Sequence, residues 1–150
     1  ARSELVIAYQ HTSHGTHVAY GVFGLPDYKE GDDQLFGVAT SEQPDKLWFR
    51  DYALERYAPS GVDGTDLSRD ETAFIQTTRN FLNAQENAAV NVVMWSWCGQ
   101  LSEEGTEVQA YLDMMSQLQA EYPDIDFVYM TGIEGRNNPG PVPALPSRSS

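Results

Sequence analysis

Residues 5–15 read Leu5-Val6-Ile7-Ala8-Tyr9-Gln10-His11-Thr12-Ser13-His14-Gly15. The first five form a short, almost wholly apolar run, which is typical of a β-strand buried on both faces of a sheet. A polar turn follows at once, and residues 16–22 then favour a short helix. A doubly buried strand that leads into a helix indicates an α/β domain with a mainly parallel sheet.

The remainder of the chain continues this alternation of strands and helices. Two amphipathic helices are predicted to begin near Ser68 and Thr106, each with Glu or Gln three residues later in capping-box register. Residues 24–46, rich in Gly, Pro and Asp, are predicted to form a long loop. Three further apolar runs predict strands at residues 47–49, 90–97 and 127–130.

The order of these elements also predicts the topology of the sheet. Strands that alternate with helices favour right-handed crossovers and a parallel sheet covered on both faces. We predict the strand order 2-1-3-4, counting the four predicted strands along the chain. The apolar first strand is expected in the interior, and the short, polar-flanked strand at 47–49 is expected at an edge.

The composition argues against several classes of function. The chain has 150 residues, about one domain, with 9 Lys and Arg against 22 Asp and Glu and a formal net charge of −13. Such an excess repels phosphates and anionic lipids, so no nucleic-acid or membrane partner is expected. The single cysteine, Cys98, forms no intramolecular disulfide and is expected to be a small buried apolar residue.

The end of the chain differs from the rest. Ile133-Glu134-Gly135-Arg136 matches a processing-protease site of the kind built into expression vectors, and residues 137–150 hold four of the eight prolines. We therefore predict an α/β domain over residues 1–132, either complete or the first part of a longer domain, and a tail over residues 133–150. We expect a secreted or periplasmic protein whose leader has been removed.

Polar, glycine-containing turns follow three of the predicted strands, where an open parallel sheet binds its ligands. They lie at residues 11–15, 60–65 and 98–100. A serine on a strand-to-helix turn can present its hydroxyl while backbone N–H groups face an oxyanion. Any chemistry is therefore expected around Ser13, and Ser13 is predicted to lie close to the loop of residues 61–64 and to Gln100.

The same turns belong to a set of segments that resembles bacterial proteins related to the SGNH (GDSL-like) hydrolases. The similarity runs with gaps over about residues 4–132, and residues 92–100 are its most specific part. The similar segments are Tyr9-Gln10-His11-Thr12-Ser13-His14-Gly15, Arg50-Asp51-Tyr52, residues 61–67, Thr78-Arg79-Asn80-Phe81-Leu82, Val92-Val93-Met94-Trp95-Ser96-Trp97-Cys98-Gly99-Gln100, Tyr122-Pro123 and Phe127-Val128-Tyr129-Met130-Thr131-Gly132.

The resemblance implies a flavodoxin-like three-layer α/β/α fold and hydrolysis of a small-molecule or carbohydrate ester without a cofactor. By position, Ser13 matches the nucleophile of the family, and Gly61 or Gly64 matches the glycine whose N–H joins the oxyanion hole. Gln100 lies near the place where many relatives carry an oxyanion-hole asparagine, although this chain has no Gly-x-Asn there.

The catalytic base of the family is missing from its usual place. No Asp-x-x-His segment follows the fourth predicted strand, so the base would be His14, His17 or a histidine outside this chain. His14 is expected to miss the Ser13 hydroxyl, because neighbouring side chains on an extended strand end face opposite ways. Turnover no faster than that of a Ser13→Ala variant is therefore predicted. The alternative is a non-catalytic binding or assembly subunit on the same scaffold.

The three histidines also suggest a competing hypothesis. His11, His14 and His17 are spaced three apart and could bind zinc or nickel if one helix face carried all of them. A strand and a turn are predicted before any helix, so His11 is expected to point elsewhere and no metal is expected.

Overall fold

The computed structural model describes residues 4–28, 36–68, 70–97 and 108–130. Its strands are β1 (Val6–His11), β2 (Val38–Ala39), β3 (Leu47–Asp51), β4 (Val92–Ser96) and β5 (Asp126–Tyr129). All of their pairings are parallel, and the order in the sheet is β2-β3-β1-β4-β5. The predicted α/β class with a parallel sheet is confirmed.

Helices connect these strands. They are α1 (Gly15–Phe23), α2 (Leu25–Tyr28), α3 (Glu71–Asn83) and α4 (Val108–Glu121), with short 3-10 turns at Glu55–Tyr57 and Gln85–Asn87. Among the described residues, none of the helices has both the length and the apolar character needed to cross a membrane.

The four predicted strands keep the relative order 2-1-3-4, as β3-β1-β4-β5 with the first strand interior, but the order of the whole sheet differs from the prediction because a fifth strand, β2, lies outside β3. β2 pairs with β3 through Val38↔Leu47 and Ala39↔Trp48, so the edge position expected for residues 47–49 belongs to β2. β2 lies inside the segment predicted as a long loop, as does α2. A strand of two residues is too short to show the alternation by which strands are recognised in a sequence.

The start of α3 also differs from the prediction. Its N-cap is Asp70, whose side chain accepts a hydrogen bond of 2.8 Å from the Ala73 amide, and not Ser68. The Ser68 hydroxyl instead donates to the Asp66 carboxylate. Aspartate at this position satisfies one free amide of the first turn, so the cap lies two residues later than expected. The cap predicted at Thr106 lies outside the described residues.

The sheet has separate apolar cores on its two faces. Alternate residues of a strand point to opposite faces, so Ala8 and Tyr9 enter different clusters. One cluster includes Phe74 of α3 and Tyr111 of α4, and the other includes Ala19 of α1. Helices therefore cover both faces, as a parallel sheet requires.

Candidate functional site

The candidate site begins at the carboxyl end of β1. β1 runs to His11, two residues further than predicted, and lies between β3 and β4 in the sheet. The Thr12 amide then donates to the Ser96 carbonyl at 3.1 Å, which keeps the chain beside the end of β4. Because β1 is central, the turn after it lies where parallel sheets bind their ligands.

Ser13 has an unusual backbone conformation. It is exposed and takes φ = 42°, the left-handed region that non-glycine residues seldom enter. Ser13 lies in the turn between β1 and α1. A sharp strand-to-helix turn of this kind presents a serine hydroxyl above the sheet.

The side chain of His14 lies next to the Ser13 hydroxyl. The distance between Ser13 Oγ and His14 Nδ1 is 3.4 Å, and both side chains are exposed. The expectation that His14 would miss the hydroxyl is therefore wrong, because residue 13 is left-handed and the strand does not extend through it. The His17 ring lies one helical turn further on, with its centroid 6.0 Å from that of His14.

The first amides of α1 are already used within the turn. Gly15 N donates to Thr12 O at 2.9 Å, and Thr16 N donates to Ser13 O at 3.1 Å. His17 N donates to His14 O at 3.0 Å. These three N–H groups hold the turn together, so an oxyanion would need its donors from elsewhere.

The glycine turn of residues 60–65 is tied to β1 through Gln10. Gln10 is fully buried; its Nε2 donates to the Gly64 carbonyl and its Oε1 accepts from the Leu54 amide, both at 3.1 Å. A Cβ added at Gly64 would lie 2.1 Å from the Glu55 carbonyl oxygen, so only glycine fits there. Gly61 has φ = 85°. The closeness of Ser13 to Gly61 and Gly64 stays a prediction, and Gln100 lies outside the described residues.

The side chains of a buried histidine, His11, and an aspartate, Asp51, contact each other beneath the turn that carries Ser13. His11 Nε2 lies 2.9 Å from Asp51 Oδ1, with His11 fully buried and the Asp51 side chain 26% exposed. The His11 ring packs against those of Tyr9 and Tyr52, with centroid distances of 4.8 and 4.4 Å. Sequence reasoning missed this pair, although the two residues end adjacent parallel strands, a signal that could have indicated it.

His11 therefore does not take part in the metal site considered from the sequence. Its Nε2 faces Asp51, while His14 and His17 are exposed on the turn and on α1. Within the described ranges, no group of three His, Cys, Asp or Glu side chains is placed to hold a metal ion.

An open cleft of about 850 Å³ lies beside the end of β3. Tyr52 contributes an exposed aromatic ring, and Asp51, Asp63 and Arg56 contribute charge. Hydrogen bonds from the Thr65 hydroxyl and amide lower the pKa of Asp63 below its usual value, so this carboxylate is ionised at neutral pH. The volume of the cleft is in the range of small-molecule binding sites.

Burial changes the chemistry of Tyr9 on the floor of the turn. Desolvation raises the pKa of Tyr9, a change that a hydrogen bond with Ser96 partly offsets. The Tyr9 hydroxyl therefore keeps its proton and donates it to the Gly15 carbonyl at 3.1 Å.

The fold and the turn together define an α/β domain with an all-parallel sheet and an exposed serine at the centre of its carboxyl edge. Comparison with protein-family models, with curated proteins and with solved structures gives no match to this chain. Function is therefore inferred from the geometry of the described residues, beside the resemblance seen in the sequence.

Proposed function

We propose that this domain is an SGNH-like serine hydrolase of esters or acyl groups, on a flavodoxin-like three-layer scaffold, with Ser13 as the nucleophile. The observation that carries the proposal is the left-handed backbone of Ser13. A non-glycine residue in that region costs on the order of 1–3 kcal/mol and persists only where its surroundings impose it, most often at functional sites.

His14 supplies the base in this proposal. Its Nδ1 lies 3.4 Å from Ser13 Oγ, a distance that a bound substrate can shorten, since catalytic hydrogen bonds are often long in free enzymes. To accept the hydroxyl proton, Nδ1 must carry the lone pair, so the neutral ring holds its proton on Nε2.

The reaction then has two halves. Ser13 Oγ attacks the carbonyl carbon while its proton passes to His14, and the leaving alkoxide takes that proton as the acyl–oxygen bond breaks. Water, deprotonated by the same imidazole, then attacks the acyl-serine and releases the acid and the free hydroxyl.

Backbone amides of the glycine turn would stabilise the negative oxygen formed in both halves. Gly61 or Gly64 remains the candidate donor, with Gln100 as the second. The bond from Gln10 to the Gly64 carbonyl supports this role, because it fixes the glycine turn to the strand that leads to Ser13.

We infer that the cleft beside β3 is the substrate site, because Asp51 and Tyr52, which line it, also contact the His11 side chain below the Ser13 turn. Its lining favours a neutral, hydroxyl-bearing substrate. The exposed Tyr52 ring offers a flat apolar surface, while the carboxylate of Asp63 accepts hydrogen bonds and repels anions. A small-molecule or carbohydrate ester fits this lining better than an anionic ester does.

Ester hydrolysis by single variants tests the proposal. With 4-nitrophenyl acetate, the Ser13→Ala variant should lose all enzymatic turnover, and His14→Gln should lower kcat about 100-fold, within the range of general-base catalysis. His17→Gln is the matched control, an exposed histidine one turn away, and should stay near the unsubstituted rate. A Ser13→Ala variant as active as the unsubstituted chain contradicts the proposal.

A second candidate is a non-catalytic binding or assembly subunit on the same scaffold. It is favoured by the lining of the cleft, where the exposed Tyr52 ring and the Asp63 carboxylate suit binding without a chemical step. This candidate predicts no Ser13-dependent turnover, together with sugar binding in the cleft that Tyr52→Ala weakens and Ser13→Ala leaves unchanged.

A further inference from the structure

We propose that His11 and Asp51 are positioning residues that hold the Ser13 turn in its left-handed conformation, an inference that rests on the proposed role of Ser13. Neither residue takes part in the steps described above. Each ends one of two adjacent central strands, where the pairing Tyr9↔Asp51 fixes the β1–β3 register.

The His11 side chain supports the turn directly from below. A Cβ added at Gly15 would lie 2.3 Å from His11 Cβ and 2.9 Å from His11 Nδ1, so the Gly15 backbone rests on this side chain. The Tyr9 hydroxyl holds the Gly15 carbonyl from the same face. Gly15 is two residues from Ser13, so the orientation of the His11 ring determines how far the Ser13 turn lies from the end of the sheet.

Asp51 determines that orientation. Its carboxylate accepts the hydrogen bond of His11 Nε2 at 2.9 Å, and the imidazole also packs against the rings of Tyr9 and Tyr52. The Ala53 amide donates to the Tyr9 carbonyl at 3.1 Å, which keeps the chain after Asp51 beside β1. The ring therefore has one well-defined position.

The buried nitrogen of His11 indicates what Asp51 must supply. Nδ1 is inaccessible and has no hydrogen-bond partner among the described residues, so a proton there would be a buried, unsatisfied donor. The neutral tautomer with its proton on Nε2 fits these surroundings. Asp51 is then needed as a hydrogen-bond acceptor, and an asparagine can replace it.

The consequence for catalysis is a loss of rate without a loss of binding. Misplacing a nucleophile by about 1 Å can cost about 100-fold in rate. Removing the acceptor with Asp51→Leu should therefore lower kcat about 100-fold and leave KM nearly unchanged, because the turn and not the substrate is displaced. Asp51→Asn should restore kcat to within about threefold, since its Oδ1 accepts the same bond.

The test measures kcat, KM and Tm for these two variants, for His11→Gln, which keeps a donor toward Asp51, and for Asp113→Leu. Asp113 is an exposed carboxylate on α4 that accepts a hydrogen bond from Gln109 and does not line the cleft, so it serves as the matched control and is expected at the unsubstituted rate. An unchanged kcat in Asp51→Leu, a loss confined to KM, or an Asp51→Asn variant as slow as Asp51→Leu would overturn the inference.

Failure of this inference is distinct from failure of the proposed function. If Ser13→Ala abolishes turnover while Asp51→Leu keeps its kcat, only the positioning role is wrong. If Ser13→Ala keeps the full rate, the proposed function itself is wrong. For a variant with reduced Tm, amide exchange at Thr16 decides the matter: its bond to Ser13 O should weaken in Asp51→Leu and be retained in Asp51→Asn.

Discussion

The two faces of the sheet differ in how much apolar and aromatic side-chain packing they carry. On the face covered by α3 and α4, Phe74 contacts Trp95, Trp97 and Tyr111 at ring-centroid distances of 4.8, 5.6 and 5.3 Å. On the face covered by α1, the fully buried apolar cluster among the described residues consists of Tyr9, Ala19 and Phe49, and the polar His11 lies beside it. The first face holds most of the apolar core, whereas the second carries the candidate site.

Truncating one phenylalanine on each face should give unequal losses of stability. Phe74→Ala should cost about 5 kcal/mol and Phe49→Ala about 3 kcal/mol, both within the range for buried phenylalanines. The difference is expected because Phe74 is enclosed by aromatic rings, while Phe49 borders the open cleft, so water can fill the space that its truncation leaves. Urea denaturation measures both values, and a larger loss for Phe49→Ala would contradict the comparison.

Two glycines of one turn should separate backbone crowding from backbone conformation. Gly64→Ala should destabilise by about 3 kcal/mol, because its Cβ meets the Glu55 backbone, as in an overpacked core. Gly61→Ala should cost only about 1 kcal/mol, since its Cβ meets nothing and only the left-handed φ is unfavourable. Thermal unfolding of the pair measures this, and equal losses would show that the Gly64 contact relaxes freely.

The smallest effect is expected on α1 and has the opposite sign. Gly21 lies inside this helix with nothing within 4 Å of an added Cβ. Gly21→Ala should therefore stabilise by about 0.5–1 kcal/mol through backbone entropy alone. Ester hydrolysis should not change, because the substitution touches neither the turn nor the cleft. A loss of stability in Gly21→Ala would contradict this expectation, because it would mean that something other than the contacts around Gly21 constrains this position of α1.

Much of the fold could be predicted from the sequence because its signals are local. Doubly buried strands are continuous apolar runs, and the stripe containing Phe74, Thr78 and Phe81 of α3 is buried as its spacing indicates. β2 could not be predicted, since two residues have no periodicity. The cap at Ser68 was wrong because a competing aspartate, Asp70, stands at the better position.

The candidate site also has features that the sequence could predict and features that it could not. The turn carrying Ser13 could be located from the strand and glycine that flank it. Two of its properties could not: the left-handed φ that brings His14 to the hydroxyl, and the pairing of His11 with Asp51 across 40 residues. Both depend on strand register and close packing, which a single sequence does not record.

The nucleophilic character of Ser13 is tested most directly by a fluorophosphonate that labels activated serines, followed by mass spectrometry of the peptides. The account predicts one label per chain, carried by the peptide that contains Ser13, absent from Ser13→Ala and formed more slowly in His14→Gln. A folded chain that stays unlabelled, or that takes the label on another serine at the same rate in Ser13→Ala, would contradict it.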